Sequence, residues 1–137
     1  MPKTKAFGIA ELIRHMSYNP STDKVETSKG LSTSGQARSQ SKSAASTNAE
    51  NLLTFAKATY RSAILRIQAT QGSNYHTTTF VVIHDGTTSY DTEFATVRSG
   101  SSLFTVTSDI SGANVRIRTT AGNASTTYKY SVEYVEA

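Results

Sequence analysis

Apolar and polar side chains alternate along most of this chain from residue 61 onward, and turn residues cut the alternation at regular spacing. The rhythm recurs in Arg61–Thr70, Tyr75–His84, Thr88–Val97, Leu103–Ser108, Val115–Thr120 and Thr126–Val135. A period of two sends successive side chains to opposite faces of a pleated strand, so each run predicts a strand with one covered and one solvated face. Upstream, Leu52, Leu53 and Phe55 predict either a first short strand or a single helical turn. About seven strands of this length suffice for two packed antiparallel sheets. The expected fold class is all-β, an antiparallel β-sandwich over residues 51–137.

The faces can be assigned strand by strand. Ala63, Leu65, Ile67 and Ala69 share one side and Ser62, Arg66, Gln68 and Thr70 the other, so the first set predicts core. Val115 and Ile117 point in where Arg116 and Arg118 point out. Tyr128, Tyr130, Val132 and Tyr134 form an aromatic stripe of the kind that fills a core or an interface. Gln71–Asn74, Ser111-Gly112 and Ala121–Ala124 read as turns, and Asp85-Gly86 between two alternating runs is the signature of a type I′ hairpin. Pairing His84 with Thr87 sets Val81 opposite Tyr90, Ile83 opposite Thr88 and Thr77 opposite Phe94, gathering large apolar residues on one face. The other face then carries His76, Phe80, Val82 and His84 against Ser89, Asp91 and Glu93, half apolar where a solvated face is polar. Phe80 and Val82 are therefore candidate protein contacts, unless one sandwich covers both faces of the hairpin.

Residues 1–50 follow another pattern. Ala6, Ile9, Ala10, Ile13 and Met16 recur at helical spacing, predicting a short amphipathic helix over 4–16 with Thr4 as N-cap and a stop before Asn19-Pro20. A helix this short is marginal alone, so its stripe, with Ile9, Ile13 and Met16 at the centre, needs a surface to lie on. Residues 21–50 hold Ser, Thr, Gly, Ala, Gln and Lys, with Val25 and Leu31 as the large apolar exceptions. Such a segment cannot offset its ordering entropy by its own burial, and is either flexible or laid down as an extended arm on a partner. The domain organisation expected is a helix and polar arm over 1–50 and a sandwich over 51–137.

Composition narrows the function classes. The chain has 137 residues, enough for one domain with a tail, and no cysteine, which removes disulfides, thiolate metal sites and thiol catalysis. Residues 1–50 hold seven Lys and Arg against four acids, and 51–137 seven against six, so the net charge of +4 comes mainly from the tail. That surplus is too dilute for a polybasic patch, and nucleic acid is not an expected partner. No stretch approaches a membrane-spanning helix and no signal-peptide run opens the chain, so a soluble protein made in the cytosol is expected. His76 and His84 lie eight residues apart, too far for a metal pair on one strand, and read as surface histidines. Asp91 and Glu93 share a strand face as solvated charges. Arg66, Arg116 and Arg118 could make a basic stripe, but no aromatic residues interleave with them. The isolated turn glycines form no phosphate loop, nucleophile elbow or dinucleotide fingerprint. The chain is expected to be no enzyme, with no cofactor and no metal.

Three segments carry a resemblance: Thr59-Tyr60-Arg61-Ser62-Ala63; Val81-Val82-Ile83-His84-Asp85-Gly86-Thr87-Thr88 with Tyr90 and Glu93-Phe94 beyond; and Asp109-Ile110-Ser111-Gly112 before Val115-Arg116-Ile117. Together they resemble a β-sandwich module of virion structural proteins in tailed bacteriophages, particularly phages of cyanobacteria and other aquatic bacteria. The likeness covers about residues 52–137, and the Tyr-rich last strand departs from it. It implies a virion protein, made in the host cytoplasm, whose partners are the major capsid protein or other virion proteins. One module preceded by a helix and a polar arm suits a capsid decoration or cement protein, a homo-oligomer and often a trimer, docking through its arm. Two other expectations stand beside it. A tail or neck fibre subunit would attach through residues 1–50 and display the sandwich to the host surface. A free carbohydrate-binding module would need exposed aromatic platforms, for which Tyr60, Tyr75 and Phe80 are the candidates.

Overall fold

The structure, a computed structural model, describes residues 16–19, 24–27 and 40–137. The chain divides into two compact units, 1–34 and 35–137. In the first, β1 (Met16–Asn19) and β2 (Lys24–Thr27) pair antiparallel, with Met16 opposite Thr27 and Asn19 opposite Lys24. The helix expected over 4–16, with Ile9 and Ile13, lies outside the described residues up to Met16, whose backbone opens β1.

The second unit is all-β among the described residues. Its strands are β3 (Gln40–Ser43), β4 (Ala49–Ala56), β5 (Tyr60–Gln71), β6 (Asn74–His84), β7 (Ser89–Arg98), β8 (Phe104–Ser111), β9 (Asn114–Ala121) and β10 (Thr127–Glu136). They form a five-stranded sheet in the order β3-β10-β5-β6-β7 and a three-stranded sheet in the order β4-β9-β8, with every pairing antiparallel. On the inner side of the larger sheet, Leu65 stands between Val132 and Phe80, and Ile67 opposite Tyr130. The smaller sheet answers with Leu52, Phe55, Phe104, Val106, Val115 and Ile117, and these side chains close one continuous core. Each expected strand is present, and the inward assignments in β5, β9 and β10 hold.

The larger sheet begins before residue 51. Gln40–Ser43, in the polar stretch, pairs with Tyr130–Thr127 of β10. Backbone hydrogen bonds, with the Tyr130 hydroxyl donating to Gln40 Oε1 at 2.8 Å, recruit this edge strand, so its side chains carry no apolar signal. The chain then crosses to the smaller sheet through a turn fastened by Glu50. Its carboxylate accepts the backbone N–H of Ala45 at 3.1 Å and of Ser46 at 2.7 Å, and the Ser46 hydroxyl at 3.0 Å. These donors, the Ala45 N–H foremost, hold its carboxyl below the usual range.

The β6–β7 hairpin departs from expectation. His84 pairs with Ser89, so Asp85–Thr88 is a four-residue loop and the register lies two residues from the expected one. Asp85 organises the loop: Oδ1 accepts the N–H of Thr87 and of Thr88, both at 2.8 Å, and the Thr87 hydroxyl at 2.7 Å, while Oδ2 accepts the Tyr90 hydroxyl at 3.0 Å. An Asp side chain that satisfies the next backbone N–H groups replaces the two-residue turn, and the same bonds, led by Thr88 N–H, push the Asp85 carboxyl far below its ordinary range. Two-residue loops do occur at Gly72-Ser73 and Gly112-Ala113, where the glycines take φ of +58° and +60°.

A shift of two preserves sidedness, so the same residues still share faces, but the covered face is the other one. The smaller sheet packs on the side of His76, Thr78, Phe80, Val82 and His84, all buried. Phe80 and Val82, expected as exposed contacts, are core residues at 1% and 0% exposure. His76 and His84 are likewise buried and not surface histidines. Ile83, Tyr90 and Phe94 are left in the open.

Candidate interaction surface

The outer face of the five-stranded sheet can be read row by row from its register. Val135, Ser62, Ile83 and Tyr90 form the first row; Glu133, Ile64, Val81 and Thr92 the second. Ser131, Arg66, Thr79 and Phe94 form the third; Lys129, Gln68, Thr77 and Val97 the fourth, with Tyr75 beyond them on β6. Every exposed large apolar side chain among the described residues of the second unit is on this face: Ile64, Tyr75, Ile83, Tyr90, Phe94, Val97 and Val135, each 43–66% exposed. They crowd the β6–β7 side, while Lys129, Arg66 and Glu133 occupy β10 and β5. Between the two halves runs a groove of about 470 Å³ lined by Ile64, Arg66, Thr79, Phe94, Ser131 and Glu133.

A bulge completes the apolar side. Phe94 pairs with Thr79 and Val97 with Thr77, so Ala95 and Thr96 together oppose Thr78. Ala95 takes a positive φ of 54°, and the buried Thr78 hydroxyl lies 2.8 Å from the Thr96 hydroxyl and 3.2 Å from the Phe94 carbonyl oxygen. The extra residue brings positions 94 and 97, which strict alternation would separate, onto one face.

The free side of β7 is guarded. Both faces of this edge strand are exposed beyond Ser89, because three strands cannot cover five. Asp91 and Glu93 point to the inner side there, and Asp91 Oδ2 accepts the Ser108 N–H of β8 at 2.9 Å and the Ser108 hydroxyl. Charges on the inner side and a bulge both oppose the addition of another strand. Tyr75, Tyr90 and Phe94 are therefore offered by a face and not by an edge.

The rest of the surface is different in character. On the smaller sheet Arg116 holds Asp109 in a two-point pair at 2.6 and 2.7 Å, and Arg118 lies 3.6 Å from the same carboxylate. The Arg116 hydrogen bonds keep the Asp109 carboxyl below its ordinary value. Arg66 stands on the other sheet, so the stripe with Arg116 and Arg118 does not form. Tyr60 stacks on Tyr134 with ring centroids 4.4 Å apart, and Phe55 meets both edge-on. The glycan-platform candidates are separated: Tyr60 is half-buried in that stack, Phe80 is in the core and Tyr75 is on the open face.

The two buried histidines brace the ends of the larger sheet. His84 Nε2 lies 2.8 Å from the Tyr60 carbonyl oxygen, and the Arg61 guanidinium donates to the His84 carbonyl at 3.2 Å. His76 packs its ring on Phe104 at 4.4 Å. Leu103 N–H points at its Nδ1 from 3.3 Å and Arg98 Nε–H at its Nε2 from 3.4 Å. A neutral imidazole offers one acceptor nitrogen and a charged one none. Burial, then the Arg98 charge, lowers the His76 pKa, with Glu93 opposing. Among the described residues no three His, Asp or Glu side chains gather as a metal site.

Sequence reasoning found the strands that build the open face but not its sidedness. The signal available was that both faces of the hairpin are half apolar. Of the proposed contact residues, Phe80 and Val82 are inside, Ile9 and Ile13 lie outside the described residues, and Met16 is described only as the first residue of β1.

No family model matches the chain, and neither does any curated protein. Among solved structures, the tailspike protein of Acinetobacter phage vB_ApiP_P1 is similar over 77% of this chain, at 19% identity and a TM-score of 0.42. The chain spans 22% of that protein's length. A likeness of this size carries no argument about function.

Proposed function

We propose that the chain is a structural protein of a phage virion, and within the particle a capsid decoration protein that docks through residues preceding the sandwich. The observation that carries its assembly role is the one-sided open face: a sandwich whose exposed large apolar residues, among those described, all lie on one sheet is built to be covered. The segments that carry the virion resemblance support it by their position. Thr59–Ala63 and Val81–Thr88 meet at one end of the sandwich, where Lys57 Nζ donates to the Gly86 carbonyl at 2.9 Å and His84 reaches Tyr60. Asp109–Ile117 forms the β8–β9 hairpin clasped by Arg116. These are frame positions, which suits a module reused for its shape and varied on its faces. Its role is assembly and not catalysis.

Copy number tests the assignment. Gel densitometry of purified particles should give hundreds of copies each. A few tens would place the chain in a tail or neck fibre and refute decoration, and absence from purified particles would refute the virion role.

A further inference from the structure

We infer that two copies of this chain pair through the outer faces of their five-stranded sheets, related by a two-fold axis lying in the interface and perpendicular to the strands. At ~150–250 Å² for a fully exposed aromatic side chain and somewhat less for Val and Ile, the exposures of 43–66% leave on the order of 700 Å² of large apolar side chain on this face. The largest apolar patch of an ordinary monomer is about 300–600 Å². A stable interface takes about 800 Å² from each partner, which this face supplies once its polar positions are counted.

The charge pattern selects a second copy as the occupant. With the axis perpendicular to the strands, each strand lies over its own equivalent and the row order reverses. The β6–β7 column then covers itself, setting Tyr90 of the first row over Val97 in the fourth and Ile83 over Thr77 beside it. The second row meets the third, so Glu133 of one copy comes over the row that holds Ser131 and Arg66 in the other. The first meets the fourth, bringing Lys129 near Val135 at the margin. Both charge signs thus sit on the polar half, in rows that exchange under the two-fold, and Glu133 finds Arg66 twice. The groove beside them, lined by Ile64 and Phe94, lies where the two copies interlock. Two faces stacked this way leave none for a third copy, which makes a dimer and not the trimer that the virion resemblance implies. The pairing follows from the face alone and holds whichever place in a particle the chain takes.

Sedimentation velocity of the full chain tests it. Across micromolar to several hundred micromolar protein, the 14.8 kDa chain should pass from monomer to dimer. Phe94→Asp and Tyr90→Asp change side chains already half open in the monomer, and should weaken dimerisation by at least ~30-fold while circular dichroism stays unchanged. Glu133→Arg and Arg66→Glu should each weaken it, and the double exchange should restore it. A chain that stays monomeric throughout, a trimer, or an oligomer that survives Phe94→Asp and Tyr90→Asp would overturn the proposal. Failure of the double exchange to restore association would overturn the two-fold arrangement. Neither outcome bears on copy number in the particle.

Discussion

Phe80 and Phe94 are the same residue on adjacent strands of one hairpin, and truncating them should cost very different amounts of stability. Phe80 is 1% exposed, opposite Leu65 in the core, and Phe94 is 51% exposed on the outer face. Phe80→Ala removes a buried ring and leaves a cavity that the strands around Leu65 can only partly close, at a cost of about 3–5 kcal/mol. Phe94→Ala gives up the half of its ring that lies against the sheet, roughly 75 Å² at about 25 cal/mol per Å², or about 1–2 kcal/mol, with no cavity. A domain of this size has about 5–15 kcal/mol in total, so the first change removes a large share of its stability. Urea unfolding followed by tyrosine fluorescence, at submicromolar protein so that self-association adds nothing, measures both. With a slope of about 1.5 kcal/mol per M, the midpoint should fall by about 2–3 M for Phe80→Ala and by about 1 M for Phe94→Ala. Equal shifts, or a larger one for Phe94→Ala, would refute the assignment of faces. The reversed order is what the pairing of His84 with Thr87, with Phe94's face taken as core, would give.

Two further outcomes follow from local geometry. Gly112→Ala should destabilise the sandwich by about 1–2 kcal/mol, since the turn needs a φ of +60° and the cost is backbone strain, with open space around the added methyl; an unchanged thermal midpoint would count against the turn. For His76, the folded-state pKa lies below the unfolded value of about 6.5, so the unfolded chain binds the extra proton. Its contribution to stability is complete above about pH 6.5 and is lost as the pH falls below that value towards the folded pKa, so urea midpoints from pH 7.5 to 5 should decline less steeply in His76→Gln than in the parent. Identical slopes would show that the ring is not held neutral.

Much of the sandwich is legible in the sequence because strand formation follows period-two alternation, which β5, β9 and β10 show cleanly. What escaped had physical reasons. Gln40–Ser43 joins the sheet edge through its backbone, and the Glu50 turn is held by polar atoms, so neither needs apolar side chains. The hairpin face could not be chosen because Phe80 and Val82 compete with Ile83, Tyr90 and Phe94 for the same core, and alternation says only which residues travel together. The deciding factor is which side the three-stranded sheet covers, a contact between residues distant in the chain. Val97 was hidden further by the Ala95 bulge, which a count of odd and even positions cannot show. The candidate interaction surface was thus present in the sequence as a set of residues, with its inside and outside exchanged.

Hydroxyl-radical footprinting of the full chain, dilute and concentrated, tests the open face most directly. Covered by a second copy, Tyr90 and Phe94 should lose most of their reactivity at high concentration, while Phe80 and Tyr128 stay unreactive at both. Unchanged modification of Tyr90 and Phe94 across the series, or reactivity at Phe80 matching that of Phe94, would contradict the account.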